Sequence, residues 1–289
     1  MKISILIFSL TFKGQILLKD SIPLKNYTFT LVELDSNLTP VDSLKLKTDP
    51  NGKFVVETDK KGIYLLKTNF QGISYRTDPL FENVENIKLS VYDTTSKSDK
   101  IVLNRAHIAF VLMQGIIQVV EVYNFFNTSD KLVKKTFELN MPDKATHILS
   151  LQGILPFELK IKGDTFLYTD GFKPGLKTIS ILYHIPLGKV KYERKMPTPV
   201  NELLVMMPPE IELKTKSQFE KTNINTTQGN FLLYSFKNLK SGDFFSFEIK
   251  LKEARKFKEF IPPLIFIVLL IIFLALIRKR WLKREVVSE

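Results

Sequence analysis

The chain of 289 residues contains no cysteine and only three histidines. Without cysteine there is no disulfide, no thiolate nucleophile and no cysteine-ligated metal, so the folded part depends on core packing alone. The sequence also lacks the glycine-rich phosphate-binding motifs and the serine nucleophile elbow. These absences exclude the familiar motif-bearing enzymes, although not every enzyme.

The three histidines do not form a metal-binding motif. They are His107, His147 and His184, and each stands alone on a separate predicted strand without a nearby histidine or a carboxylate in ligand spacing. Metal sites in sequence usually show such close spacing. We therefore expect no metal site, no cofactor and no catalytic residue among them.

Three aspartates stand beside glycine and could be paired carboxylates of a glycosidase. They are Asp164, Asp170 and Asp243. An aspartate next to a glycine is typical of turns, where the carboxylate accepts a backbone hydrogen bond and glycine supplies positive φ. We favour the turn interpretation over catalysis, which would need two carboxylates facing one cleft.

The composition is that of a folded, basic protein. Hydrophobic residues make up 44% of the chain, which is enough for a packed core, and the net charge is +12. A basic exposed domain can lie against anionic headgroups or an acidic partner. Many lysines alternate with apolar residues, as on a solvated sheet face. No basic helix or aromatic-basic motif indicates nucleic-acid binding.

One long apolar run predicts a membrane anchor. Residues 260–277 read FIPPLIFIVLLIIFLALI without a charge, and the basic tail 278–289 follows. As a helix, 18 residues extend about 27 Å, close to the hydrocarbon thickness of a bilayer. The run has no polar or small-residue face, so we expect a plain tether. Docking of this helix in a membrane complex is a weaker alternative.

The orientation of this anchor depends on the N-terminus, because basic residues are equally frequent on both sides of the span. Residues 3–12 form a ten-residue apolar stretch after Met1-Lys2, and we predict a signal peptide over residues 1–11. The alternative is that this stretch is simply a first β-strand. A signal peptide places the folded part outside the cytoplasmic membrane and the tail in the cytoplasm.

Between the two ends, apolar and polar residues alternate and turn signals recur every 8–12 residues. This pattern is typical of β-sandwiches. The polar segment 93–100 separates seven predicted strands in residues 12–92 from twelve in residues 101–253. We therefore expect an all-β protein with two β-sandwich domains, a linker at 93–100 and one C-terminal transmembrane helix.

The first of these domains carries recognisable motifs. Pro23 precedes a strand, residues 48–54 read TDPNGKF, residues 62–64 read GIY, and Gly72 and Tyr75 follow. In these motifs residues 12–92 resemble the carboxypeptidase regulatory-like domain, a transthyretin-like sandwich of seven strands. The resemblance implies a non-catalytic module, and the layout with one membrane helix is similar to uncharacterised bacterial exported proteins. Asn26 stands where many members carry glycine, and asparagine also tolerates left-handed backbone.

Aromatic residues cluster at two places, Tyr123–Phe126 and Phe244–Phe247. Alternation puts Phe245 and Phe247 on one face and Phe244 on the other, which favours a core filled from both sheets. An exposed aromatic patch that docks a membrane partner is the alternative.

These features predict a non-enzymatic, single-pass envelope protein. Its β-sandwich ectodomain, periplasmic or extracellular, would act as an interaction or scaffold module for membrane or periplasmic components. The alternative is a carbohydrate-binding or hydrolytic envelope protein that uses the second domain.

Overall fold

The structure is a computed structural model, which describes residues 9–196, 198–226 and 229–251. Strands dominate these residues, and the helical turns among them are two short 3₁₀ helices at Ser98–Lys100 and Pro156–Glu158. The all-β prediction is therefore confirmed. The predicted anchor 260–277, the tail 278–289 and residues 1–8 of the predicted signal peptide lie outside the described residues. No helix within the described ranges is long and apolar enough to span a bilayer.

The first eight strands form two four-stranded sheets, which we call the N-terminal sandwich. Its strands are β1 Leu10–Leu18, β2 Ile22–Pro23, β3 Thr28–Leu34, β4 Pro40–Lys47, β5 Lys53–Thr58, β6 Ile63–Phe70, β7 Ile73–Arg76 and β8 Val84–Val91. In one sheet β1 is central, antiparallel to β5 and β2 and parallel to β8. The other sheet has the order β4-β3-β6-β7.

Alternation along the strands builds the core between these two sheets. In β5, Phe54 and Val56 are buried, whereas Val55 between them is exposed. The Phe54 ring lies 5.0 Å from that of Phe29 in the opposite sheet. The predicted turn at Asp49 also forms, with its carboxylate accepting hydrogen bonds from the backbone N–H of Asn51 and Lys53, both 2.8 Å. Inward apolar residues and a tight turn thus fix this half, as their sequence pattern predicts.

After β8 come a short strand pair, β9 with β12, and a larger group of sheets. These strands are β9 Thr94–Thr95, β10 Ile101–Met113, β11 Ile116–Asn127, β12 Leu132–Val133, β13 Phe137–Asn140, β14 Thr146–Gln152, β15 Lys160–Lys162, β16 Thr165–Tyr168, β17 Gly175–Pro186, β18 Val190–Lys195, β19 Val200–Met207, β20 Ile211–Thr215, β21 Glu220–Thr226, β22 Gly229–Leu239 and β23 Phe244–Leu251. We call all of them except β9 and β12 the C-terminal sandwich.

The C-terminal sandwich packs one seven-stranded sheet against two three-stranded sheets. The large sheet has the order β14-β17-β11-β10-β19-β22-β21, and the small ones are β13-β16-β15 and β18-β23-β20. Its central strand β10 is antiparallel to β11 and parallel to β19. Phe110 of β10 makes edge-on ring contacts with Tyr192 and Phe247 of a small sheet, at 5.4 and 6.3 Å. These aromatic contacts join the layers into one core.

Several details of the predicted strand pattern are wrong, and two of them have a local cause. Among the twelve strands predicted in residues 101–253, the one at Phe157–Ile161 starts as the 3₁₀ helix Pro156–Glu158, because Pro156 cannot donate to a sheet and presets φ for a helical turn. The strand Ile211–Thr215 is missing from the prediction, because two prolines precede it and only five residues alternate.

Two of the predicted segments, the linker 93–100 and the signal peptide 1–11, contain residues that lie in strands. Within the predicted linker 93–100, Thr94–Thr95 pair in parallel with Leu132–Val133, so part of this segment is strand. Leu10 and Thr11, inside the predicted signal peptide, belong to β1 and pair with Thr58 and Glu57. The division into domains and the signal peptide both stay predictions.

Candidate functional site

Among the described residues, no group of three or more histidine or carboxylate side chains is arranged to hold a metal ion, and the absence of a metal site stays a prediction. Strand pairing does bring two of the three histidines together, since the rings of His147 and His184 lie 5.3 Å apart on β14 and β17. His107 lies on β10, where burial and the nearby Arg105 lower its pKa to about 4. It is therefore neutral at physiological pH.

The three candidate aspartates lie in separate turns. Asp243, between β22 and β23, accepts a hydrogen bond of 2.7 Å from the backbone N–H of Lys240, as the turn interpretation predicts. Asp164 lies between β15 and β16, and Asp170 follows β16. Asp143 and Asp164 border a shallow groove of about 280 Å³, but no aromatic ring lines it. It therefore lacks the stacking surface typical of sugar-binding sites.

The interior of the C-terminal sandwich holds an ionic network that the sequence analysis did not identify. Arg194 of β18 donates two hydrogen bonds to the Glu121 carboxylate of β11, at 2.6 and 2.5 Å. The hydroxyls of Tyr123 and Tyr183 also donate to Glu121, and Tyr183 lies 3.3 Å from the Tyr192 hydroxyl. Glu121 and Arg194 are 0% and 4% exposed. We call these five residues the core network.

The electrostatics of the core network make it a structural clamp. Burial raises the pKa of Tyr123 and Tyr183 well above the usual value, and their proximity to Glu121 adds to the shift. Burial disfavours the charged form of Arg194, but Glu121 outweighs this and raises its pKa. Tyr123, Tyr183 and Arg194 therefore keep their protons near neutral pH. The adjoining cavity of about 20 Å³ has room for about one water molecule.

The two aromatic clusters are divided between core and surface. Phe245 and Phe247 are each 1% exposed and Phe244 is 66% exposed, which confirms the predicted alternation. In the other cluster Phe125 is buried, whereas Phe126 projects from the outer face of the seven-stranded sheet. Most of the aromatic content therefore fills the core.

One exposed apolar pair remains on that outer face. Phe126 of β11 lies directly opposite Leu176 of β17, and the two side chains are 45% and 63% exposed. On the other side of Phe126, Val102 of β10 is its cross-strand partner and is half-buried. We call Val102, Phe126 and Leu176 the apolar patch. Adjacent apolar side chains on a rigid sheet are typical of contact surfaces.

A loop of the C-terminal sandwich contacts the outer face of the N-terminal sandwich. Leu155 packs in one apolar cluster with Val32, Leu34 and Leu65. Glu158, three residues later, pairs with Arg76 of β7. We call this contact the joint.

Several titratable groups lie close to the joint. Lys173 places its ammonium 5.0 Å above the Tyr75 ring, and burial together with repulsion from Lys177 and Arg76 lowers its pKa to about 8. Burial and the Glu158 carboxylate raise the pKa of Asp170. Perturbed groups of this kind also occur in structural networks. They belong to the contact between the two sandwiches.

No family model matches the sequence, and neither does any curated protein. Solved structures that are similar to it include the following two. A DUF3823 family protein from Parabacteroides merdae aligns at 11% identity over 63% of this chain and 89% of that one, with a TM-score of 0.23. BcpA, the major pilin subunit of Bacillus cereus, aligns at 12% identity over 86% and 97%, with a TM-score of 0.20. Both likenesses are too distant to carry an argument about function. They do not show a carboxypeptidase regulatory-like domain, so that resemblance stays a prediction.

Proposed function

We propose that this chain is a non-enzymatic envelope protein, whose two β-sandwiches form a membrane-tethered interaction module. The observation that carries this proposal is the apolar patch on a rigid sheet. Exposed apolar side chains cost free energy in water, and burying them against a partner recovers about 25 cal/mol per Å². Phe126 and Leu176 stay exposed within the described chain, and docking to a partner would bury them.

The joint supports a scaffold role. The contact of Leu155 and the ion pair of Glu158 hold the loop on the N-terminal sandwich, and β9 and β12 add a second connection. Because the two sandwiches are connected at two places, the apolar patch keeps a fixed orientation relative to the N-terminal sandwich. Such preorganisation lowers the entropy cost of binding.

The membrane tether is inferred from the sequence alone. The apolar segment 260–277 and the apolar N-terminus favour a single-pass protein with its sandwiches outside the cytoplasmic membrane. Confinement to the bilayer raises the effective concentration of the patch for membrane-bound partners. The turn positions of the aspartates favour this role over hydrolysis.

A membrane pull-down tests the proposal. The full chain is captured from membranes, and co-purifying proteins are identified by mass spectrometry. We expect a membrane or periplasmic protein that is lost with the double variant F126S/L176S. The matched control V41S/L44S removes two exposed apolar side chains from β4, and should retain the partner. Recovery of this chain alone, or equal recovery with both variants, would contradict the proposal.

Protease treatment of spheroplasts tests the orientation. If the sandwiches lie outside the cytoplasmic membrane, protease added to intact spheroplasts digests them. Complete protection would contradict the external location.

A further inference from the structure

A cleft divides the second layer of the C-terminal sandwich. This layer consists of the two three-stranded sheets, in which β13 and β18 are end strands. Residues of both strands border one cavity, yet among the described residues no backbone hydrogen bond joins the two strands. We call the gap between them the edge cleft. Because each strand is unpaired on this side, backbone N–H and C=O groups of both edges are available to a further strand.

The cavity of about 20 Å³ beside the core network lies in the edge cleft. On one side it is bordered by all four residues of β13, and on the other by Arg194 and Lys195 at the end of β18. Ala106 of β10 also lines it and is the smallest apolar side chain there. The short side chain of Ala106 thus leaves room for one water-sized group.

One buried donor in the wall of this cavity lacks an acceptor. Arg194 is only 4% exposed, and its Nη1 and Nη2 atoms both donate hydrogen bonds to Glu121. Its Nε has no hydrogen-bond partner, and among the described residues it is the only buried side-chain nitrogen or oxygen in this state. Leaving a buried N–H unpaired is unfavourable. The site is therefore suited to an oxygen atom that accepts from Nε.

Charge and size restrict the group that can supply this oxygen. The charges of Glu121 and Arg194 cancel each other, so a further buried charge would have no counter-charge. A hydroxyl group is uncharged and has the size of the cavity. It can accept from Arg194 Nε and donate to the hydroxyl oxygen of Tyr123, which also lines the cavity and has a second lone pair. Serine and threonine side chains meet these requirements.

The rim of the edge cleft carries one charge of each sign. Glu138 of β13 and Lys195 of β18 are both exposed and border the cavity from opposite sides. In an extended segment, the two neighbours of an inward side chain point outward. An outward glutamine there can donate to Glu138 and accept from Lys195. The rim therefore suits an uncharged polar segment.

We propose that the edge cleft binds an extended, uncharged peptide segment, which pairs with the open edge of β13 and inserts a serine or threonine side chain against Arg194. Because no backbone hydrogen bond joins the two small sheets, the cleft can widen for a strand without breaking one. This inference goes beyond the proposed function. The edge cleft lies in the layer opposite the outer face that carries the apolar patch, so it is a second and separate contact surface.

Fluorescence anisotropy with two labelled peptides tests the proposal on the full chain in detergent. The probe is acetyl-Ala-Gln-Thr-Gln-Ala-amide, and the matched control carries valine in place of threonine. Valine has the same shape but no hydroxyl, so it leaves Arg194 Nε unpaired. We expect the threonine peptide to bind about tenfold more tightly or better. Equal affinities would overturn the proposal, and so would failure of both peptides to bind, which would leave a water site only.

Variants of the chain locate the binding. A106L fills the cavity and should lose the threonine peptide, whereas A106G keeps the space and should retain it. Binding to a folded A106L as tight as to the natural chain would overturn the proposal. Thermal unfolding shows whether A106L folds, and if it does not, the comparison of the two peptides on the natural chain decides.

The variant F126S/L176S separates this inference from the proposed function. It lacks the apolar patch but keeps the edge cleft, so it should bind the threonine peptide as the natural chain does. Loss of the peptide in this variant would contradict two separate surfaces. Failure of the membrane pull-down with peptide binding intact counts against the proposed function alone.

Discussion

The guanidinium of Arg76 and the carboxylate of Glu158 form a two-point ion pair between the two sandwiches, with hydrogen bonds of 2.7 Å from Nε and 2.6 Å from Nη2. Their side chains are only 16% and 19% exposed. Burial favours the neutral carboxyl, but Arg76 and the Leu155 amide outweigh it and hold the pKa of Glu158 below its usual value. The pair therefore stabilises the joint at neutral pH and weakens in acid, as Glu158 becomes protonated.

Replacing Glu158 with glutamine should loosen the joint. The variant E158Q leaves the Arg76 guanidinium half-buried without its counter-charge, so we expect a loss of about 2–3 kcal/mol in the free energy of unfolding. Urea denaturation measures the loss, and faster proteolysis between β8 and β10 would locate it at the joint. The control E85Q removes the exposed ion pair with Lys13 and should leave both unchanged. Equal effects of E158Q and E85Q would contradict a special role for the joint.

The core network should be much more sensitive than the joint. The variant E121Q leaves the Arg194 charge buried and uncompensated, and we expect a loss of about 3–5 kcal/mol. The double variant E121M/R194M replaces both charges with apolar side chains, and should recover most of that loss. Chemical denaturation of the three proteins measures the difference. A double variant as unstable as E121Q would contradict this prediction. It would show that the network stabilises the fold by more than the neutralisation of its two charges.

Gly153 should tolerate no side chain, for two separable reasons. Its φ is +83°, and a Cβ there would lie 2.0 Å from the Thr178 carbonyl oxygen. Gly175 has the same φ of +83°, but no atom lies within 4 Å of its Cβ position. We expect G175A to cost about 1–2 kcal/mol from backbone strain, and G153A to cost more, because the loop that carries Leu155 must move. Thermal unfolding compares them, and equal shifts would contradict the close contact.

Lys173 should make stability depend on alkaline pH. Its pKa falls from the usual 10.5 to about 8 in the folded protein, so the unfolded chain binds more protons between these values. The free energy of unfolding therefore gains a contribution as the pH rises from about 8 to 10.5. The variant K173M lacks this contribution, and its advantage over the natural protein should shrink across that range. Denaturation at several pH values measures this, with the exposed Lys162→Met as the control. An advantage that stays constant would contradict the prediction.

The strands were largely predictable because the sandwich buries one face of each. Residues 53–58 alternate between exposed and buried positions, and the structure forms a strand with those bounds. The strand Thr94–Thr95 was not predictable, because its pairing with Leu132–Val133 depends on the tertiary contact rather than on local pattern. Local alternation therefore identifies long strands and misses the short connections that join the sandwiches.

The core network shows how far sequence reasoning reaches. Glu121 interrupts an inward row that includes Val119 and Tyr123, so a charge at an apolar position was visible in the sequence. Its partner Arg194 lies 73 residues away, on a strand of another sheet. Only the packing of the two sheets brings them together.

The parallel pairing of β10 with β19 has a consequence for synthesis. One side of β10 can pair with β19 only after residues 200–207 have left the ribosome. At roughly 5–20 residues per second, β10 spends several seconds or more with that edge unpaired. An open, apolar edge invites association with other nascent chains. We therefore expect the yield of native protein to depend on how long this edge of β10 stays uncovered before β19 arrives.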